Sequence, residues 1–116
     1  VDDEHGRMLT RYMMGISELY DWLPNTGPGT EFPTATHLRR FILIELGFCE
    51  TWPQRDGTVR RQAHSMARDH MSFEDLSACL EMTRTYVLAY TEAVTGTAFE
   101  PWKRWEDEHA TGGAQP

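Results

Sequence analysis

The spacing of apolar residues between residues 72 and 102 constrains the fold of this chain more than any other feature of the sequence. The apolar anchors of the stretch are Leu76, Leu80, Met82, Val87 and Tyr90, and a small residue stands at Ser77. Leu76 and Leu80 lie one helical turn apart and face the same side of a helix, and a small side chain there lets a second helix cross closely. Ser72 and Thr83 are predicted to cap the first and the second helix. The pattern therefore predicts two helices joined by a tight turn that begins near Glu81.

The same stretch resembles the first helix-turn-helix unit of AraC-type transcriptional regulators. Beyond the two helices, Thr95 and Gly96 stand where that family closes its recognition helix, and Phe99 and Trp102 stand where its next helix begins. The likeness covers about residues 57–105 and starts with a predicted lead-in helix. The resemblance implies a transcriptional regulator that binds DNA through the helix-turn-helix unit.

The resemblance also implies which side chains would contact DNA. The outward positions of the recognition helix include Leu88, and the residues expected nearest the bases are Thr83, Arg84 and Thr85. The expected phosphate contacts are Arg60, Arg61, Lys103 and Arg104. Base contacts specify a sequence, whereas phosphate contacts position the protein. Arg84 is the strongest base contact of the set, since arginine can bond a guanine edge with two hydrogen bonds.

The charge balance favours a different partner. The chain has 11 basic and 18 acidic residues, a net charge of −7, which opposes binding to a polyanion. Basic residues do concentrate in residues 55–70, directly before the motif. The alternative to DNA binding is an acidic helical protein–protein interaction module, such as an adaptor, an inhibitor or an anti-regulator, which would grip another protein with Tyr86, Leu88 and Ala89. Both functions remain open at this point.

The first half of the chain predicts two more helices. Residues 3–23 place apolar side chains at spacings of three and four, and a loop rich in proline and glycine follows at residues 24–33. A second helix, capped by Thr34 or Thr36 and ended by Gly47, is apolar over most of its circumference. Such a helix is either the central helix of a monomer or part of a homodimer interface. A homodimer would place two recognition helices ~34 Å apart, as a palindromic site requires.

These elements together predict an all-α fold, a small bundle of four to five helices that contains a helix-turn-helix unit. We expect residues 1–110 to form a single all-helical domain. Within it, residues 3–48 would provide the dimerisation helices and residues 57–105 the helix-turn-helix segment. The last residues, 111–116, are expected to be a disordered tail.

No set of residues in the sequence indicates an enzyme. His64 and His70 are six residues apart, which places them on different faces of a helix and argues against a metal pair. Glu45 and Glu50 have no partner base or nucleophile at helical spacing. We therefore predict no catalytic residue, no metal site and no cofactor. A small-ligand-binding bundle remains a third possibility on the strength of the methionines and tryptophans alone.

The remaining signals concern the cell compartment and the core. Cys49 and Cys79 form no paired motif and predict free thiols rather than a disulfide. No apolar run approaches the ~20 residues of a membrane span, and no leader segment opens the chain, so we expect a cytoplasmic protein. The aromatic group Phe99, Trp102 and Trp105 is interpreted as core packing rather than as a surface for stacking on bases or ligands.

Overall fold

A computed structural model describes residues 4–24, 32–67 and 70–102. In these residues the chain forms three helices and one antiparallel hairpin, in the order α1 (Glu4–Trp22), α2 (Ala35–Glu45), β1 (Cys49–Pro53), β2 (Val59–Ala63) and α3 (Phe73–Thr95). The prediction of an all-α bundle of four to five helices is therefore wrong, because a two-stranded sheet lies between the second and third helices. The fold mixes α and β structure.

Helix α3 is continuous across the position where a turn was predicted. Ser72 caps its start by accepting a hydrogen bond from the Asp75 amide (3.1 Å), as the sequence predicts, and Gly96 ends it with a φ of 84°. Among the described residues, positive φ values occur only at glycines, so Glu81 does not adopt the left-handed conformation that the turn required. That conformation costs about 1 kcal/mol or more at a residue with a Cβ. The predicted pair of helices between residues 72 and 95 is therefore wrong.

The two helices predicted in the first half of the chain are confirmed as α1 and α2. Thr34 caps α2, since its side chain accepts a hydrogen bond from the His37 amide, and Gly47 follows the helix with a φ of 88°. The fully buried residues of α2 are Leu38, Ile42 and Leu43. No residue of α2 is among the large apolar side chains that are exposed to solvent. Phe41, Ile44 and Leu46 are half-buried, and the predicted homodimer stays a prediction.

The hairpin replaces the helix that was predicted to begin near residue 57. Its register pairs Trp52 with Arg60 and Thr51 with Arg61. The connection contains Asp56 and Gly57; the Asp56 carboxylate accepts hydrogen bonds from the Thr58 amide (3.0 Å) and hydroxyl (2.6 Å), and Gly57 has a φ of 87°. An Asp-Gly pair between runs of β-branched and aromatic residues is a strong hairpin signal, because glycine tolerates the left-handed conformation.

The hairpin is fastened to the body of the protein at its base. The Phe48 amide donates to the Leu43 carbonyl at the end of α2 (2.9 Å), and the His64 amide donates to the Phe48 carbonyl (2.9 Å). Strand β2 packs against α2. Residues 50–62 are all exposed, so the strands beyond the base extend away from the core.

The main core lies between the three helices. Each helix contributes fully or almost fully buried side chains, among them Tyr12, Ile16, Leu19, Leu38, Ile42, Leu76, Leu80 and Val87. Trp102, which follows α3 in sequence, completes this core from the side of α1. Its ring lies against Gly15, where a side chain would overlap the indole, and its Nε1 donates to the Arg11 carbonyl (3.3 Å). The interpretation of Trp102 as a core residue is confirmed.

The segment after α3 is tied back to the helix by one threonine. Thr91 is fully buried; its hydroxyl donates to the Val87 carbonyl (2.7 Å) and accepts from the Phe99 amide (2.9 Å). Phe99 in turn stacks on Trp22 at the end of α1, with ring centroids 4.6 Å apart. These contacts direct the chain from the end of α3 towards α1.

Candidate functional site

The predicted DNA contacts that lie within the described residues do not form one surface. Thr83 is fully buried, and its hydroxyl shares a hydrogen bond with the Tyr12 hydroxyl (3.1 Å) in the core. Thr85 and Leu88 are exposed on α3, whereas Arg60 and Arg61 are exposed on the hairpin. Lys103 and Arg104 lie outside the described residues, as do Trp105 and the predicted tail at residues 111–116.

Arg84 is engaged within the molecule. Its Nε donates to the Glu100 carboxylate, and its Nη1 donates to the Glu81 carboxylate (3.3 Å) one turn back on α3. The side chains of Arg84 and Glu100 are only 19% and 10% exposed. The guanidinium therefore holds the segment after α3 against the helix, and the prediction that it reaches DNA bases has no support in this geometry.

An apolar groove lies between the end of α2 and the middle of α3. It has a volume of about 520 Å³ and is lined by Leu46, Glu81, Met82, Thr85 and Tyr86. We call it the α2–α3 groove. Met82, which the sequence predicts to be an apolar anchor of two packed helices, is 43% exposed, a large value for an apolar side chain. The groove is therefore an open, largely apolar surface between the two helices.

A row of aromatic rings extends from Tyr86, which lines the groove, towards α2. Tyr86 stacks on Tyr90 with centroids 5.6 Å apart, and Tyr90 contacts Phe41 of α2 at 6.0 Å. Phe41 in turn contacts Phe32 at 5.4 Å. These partly buried rings join α2 to α3 and keep Tyr86 in place. A rigid aromatic wall loses little conformational entropy when another molecule packs against it.

Two carboxylates, those of Glu45 and Glu81, lie at this apolar surface. Burial and, second, the nearby Glu45 carboxylate raise the pKa of Tyr86 to about 12. Glu81 lines the groove itself and is largely exposed. The guanidinium of Arg84 is shared between Glu81 and Glu100, so it offsets only part of the local negative charge. The rim of the groove is therefore acidic.

Sequence reasoning identified some of these residues but not the site. Tyr86 was named for the protein-binding alternative, and Leu46 was assigned to an apolar helix. Met82, Thr85 and Tyr86 share one face of a helix by their spacing of three and four, which is a signal available in the sequence. The approach of Leu46 to that face depends on how α2 and α3 meet, which the sequence pattern does not specify.

The described part of the chain contains no group of three side chains that could ligate a metal ion. His5 is buried, and its Nε2 donates to the Met71 carbonyl (2.8 Å), which anchors the start of α1 to the segment before α3. None of the helices in the described residues has both the length and the apolar character needed to cross a membrane.

The two cysteines should differ sharply in reactivity. Cys79 is fully buried, and burial raises its pKa to about 11, whereas Cys49 is only half-buried at the base of the hairpin. Because the thiolate is the reactive form, a chromogenic disulfide reagent at pH 7 should titrate one thiol in the folded protein and the second only after denaturation. Cys49→Ser should abolish the first reaction, and Cys79→Ser should retain it. Rapid reaction of two thiols in the native protein would contradict the burial of Cys79.

Comparisons of the chain with protein-family models, with curated proteins and with solved structures found no match. The functional interpretation therefore depends on the geometry of the described residues.

Proposed function

We propose that the protein is a protein–protein interaction module that holds an apolar side chain of its partner in the α2–α3 groove. The observation that carries this proposal is the exposure of Met82 beside the fixed ring of Tyr86 in a groove of about 520 Å³. Methionine adapts its shape to different partners, and aromatic rings supply much of the contact energy at interfaces. An apolar pocket of this kind suits one anchor residue of a partner segment.

The partner's anchor should lie next to a lysine or an arginine. Glu45 and Glu81 place carboxylates around the groove, and the chain as a whole carries a net charge of −7. Opposite charges at the rim of an interface increase the association rate and suppress wrong partners. An acidic partner segment would meet repulsion from the same carboxylates. We therefore propose a partner segment that combines an apolar anchor with neighbouring positive charge.

The proposal takes up the protein-binding alternative and leaves the helix-turn-helix mechanism aside. That mechanism needed a turn in the middle of α3 and outward side chains at Thr83 and Arg84. Instead α3 is unbroken, Thr83 faces the core, and Arg84 is paired with Glu100. Leu88 and Ala89 remain exposed near the groove residue Thr85, as the alternative requires.

A matched pair of methionine substitutions tests the groove. Random peptides displayed on phage would be selected on the immobilised protein, and a selected peptide would be labelled and titrated by fluorescence anisotropy. Met82→Ser should weaken its binding about tenfold, because roughly 1.5 kcal/mol of apolar contact is lost. Met14→Ser is the control, since Met14 is 54% exposed on α1, away from the groove. It should leave the affinity unchanged.

The composition of the selected peptides and the effect of salt test the charge requirement. The peptides should share an apolar residue beside lysine or arginine, and Glu45→Gln should weaken binding a few-fold at 20 mM NaCl but little at 500 mM, where exposed charges are screened. Peptides that bind Met82→Ser as tightly as the wild type would overturn the groove as the site. Selection of acidic peptides would overturn the proposed charge complementarity.

A further inference from the structure

The projecting hairpin carries a second feature that the α2–α3 groove does not use. None of the residues that line the groove belongs to β1 or β2. Arg55, Arg60 and Arg61 are all exposed on the hairpin, and the Arg60 guanidinium lies 5.8 Å from the ring centroid of Trp52. The hairpin also carries the exposed carboxylates of Glu50 and Asp56, so its arginines outnumber its carboxylates by one. It presents this small excess of positive charge and an exposed indole at a distance from the core.

Charge is distributed unevenly along the chain. Residues 35–64, which form α2 and the hairpin, contain five arginines and three carboxylates, whereas the rest of the chain contains six basic and fifteen acidic residues. Strand β2 packs against α2, so this section is one structural unit. Of its three carboxylates, Glu45 lies beside the α2–α3 groove, and Glu50 and Asp56 lie on the hairpin. A locally positive unit on an acidic protein directs an anionic partner to that unit and away from the remaining surface.

The strand register places the arginines on both faces of the hairpin. Arg60 pairs with Trp52, and Arg61 pairs with Thr51. Because neighbouring residues of a strand point to opposite faces, Arg60 and Arg61 project from opposite sides. The connecting turn is held by the hydrogen bonds between Asp56 and Thr58, so the two faces keep a fixed relation.

We propose that the hairpin of β1 and β2 binds the phosphate backbone of double-stranded DNA. The major groove of B-form DNA is ~12 Å wide and admits a two-stranded β-ribbon. A ribbon that enters the groove has one face towards each wall, so Arg60 and Arg61 can each contact the phosphates of a different strand, and Arg55 at the turn adds a third contact. Such contacts position a protein without selecting a base sequence. Arg60 and Arg61 are the phosphate contacts that the sequence predicts, but they lie on a hairpin rather than in the lead-in helix of a helix-turn-helix unit.

The first test measures binding of a fluorescein-labelled 20-base-pair duplex of arbitrary sequence by anisotropy between 20 and 200 mM NaCl. Three phosphate contacts should give a plot of log affinity against log salt with a slope of about −2.7. Arg61→Gln should weaken binding several-fold and reduce the magnitude of the slope by about one, and the double variant Arg60→Gln/Arg61→Gln should reduce it by about two. Absence of binding at 20 mM NaCl would overturn the proposal.

Matched controls separate the hairpin from the net charge of the protein. Arg7→Gln removes the same charge from an exposed position on α1 and should change the affinity far less than Arg61→Gln. Equal effects of the two variants would show only a general charge effect and would overturn the site. Met82→Ser should leave DNA binding unchanged, which keeps this test independent of the groove. Circular dichroism would verify that each variant retains its helix content.

Competitors identify the class of anionic partner. Unlabelled duplex DNA should displace the labelled duplex, whereas poly-glutamate and vesicles containing phosphatidylserine should not do so at equal charge concentration. Displacement by either competitor at that concentration would assign the hairpin to acidic proteins or to membranes and overturn the proposal. A single-stranded oligonucleotide that binds more tightly than the duplex would overturn insertion into a DNA groove.

Discussion

Trp102→Ala should lower the free energy of unfolding by about 3–5 kcal/mol, the range found when a large buried aromatic residue is truncated. Trp102 is fully buried, its ring lies 5.7 Å from that of Tyr12, and its indole N–H donates to the Arg11 carbonyl. A domain of this size has a stability of roughly 5–15 kcal/mol, so the substitution removes a large part of it. Urea unfolding followed by circular dichroism would measure the loss.

A second tryptophan provides the control for this substitution. Trp52 is 37% exposed on the hairpin, so Trp52→Ala should change the stability by less than about 1 kcal/mol. Equal losses for the two variants would contradict the packing of Trp102 in the core.

The contact between Trp102 and Gly15 can be tested by making Gly15→Ala in two backgrounds. The substitution should lower the stability when Trp102 is present and raise it when Trp102 is absent. In the wild-type protein, Gly15→Ala should destabilise by about 1–3 kcal/mol, because the added Cβ overlaps the buried indole. In the Trp102→Ala background the same change should stabilise by about 0.5–1 kcal/mol, since alanine is a better helix former than glycine. A stabilising effect in both backgrounds would mean that the indole does not lie on Gly15.

Arg84→Ala should also destabilise the fold, by about 2 kcal/mol. The substitution leaves the Glu100 carboxylate, which is 10% exposed, without the guanidinium that accompanies it. Removal of one partner of a fully buried ion pair costs roughly 3–5 kcal/mol, and the partial exposure of Arg84 lowers the expected value. Urea unfolding at pH 7 would measure it.

Two further variants show whether the loss of stability in Arg84→Ala comes from the unpaired charge of Glu100. Glu81→Gln removes the exposed partner of Arg84 and should cost less than about 1 kcal/mol, as expected for a surface pair. The double variant Arg84→Leu/Glu100→Leu removes both charges and should be more stable than Arg84→Ala alone. If the double variant is no more stable than the single one, the interaction between the two charges does not explain the loss.

The positions of the helices were predictable because local signals agree with the final packing. The spacing of three and four in α1, the cap at Thr34 and the glycine at residue 47 each act within one or two turns of helix. The contact between Trp102 and Gly15 of α1 was not predictable. Trp102 reaches Gly15 only after α3 and the segment behind it have folded back, and no local pattern encodes that contact.

The predicted break in α3 was wrong because its apolar spacing fits two structures. Leu76, Leu80 and Val87 occur at positions that suit two crossed helices, but together with the buried Thr83 they also form one stripe with spacings of four, three and four. A single helix needs no left-handed residue at Glu81, and it exposes Met82 instead of burying it. The absence of glycine and proline from residues 81–83 was the local evidence for the continuous helix.

The hairpin had a local signal that the helical interpretation overrode. Asp56 and Gly57 stand between Thr51 and Trp52 on one side and Thr58 and Val59 on the other, and these residue types favour strands on either side of a turn. The groove and the basic unit had weaker signals, because each depends on α2 meeting an element distant in sequence. The negative net charge alone suggests a basic partner. The distribution of charge over the folded chain suggests a basic partner at the groove and an anionic partner at the hairpin.

The buried hydroxyl of Thr91 affects how the segment after α3 takes part in local unfolding. Because its bond to the Phe99 amide holds a segment that lies outside α3, we expect that amide proton to exchange slowly with solvent. Phe99 stacks on Trp22, and Trp102 lies on Gly15, so the same segment makes both contacts with α1. We therefore expect α1 and the segment after α3 to open to solvent as one cooperative unit, with similar protection of their amide protons.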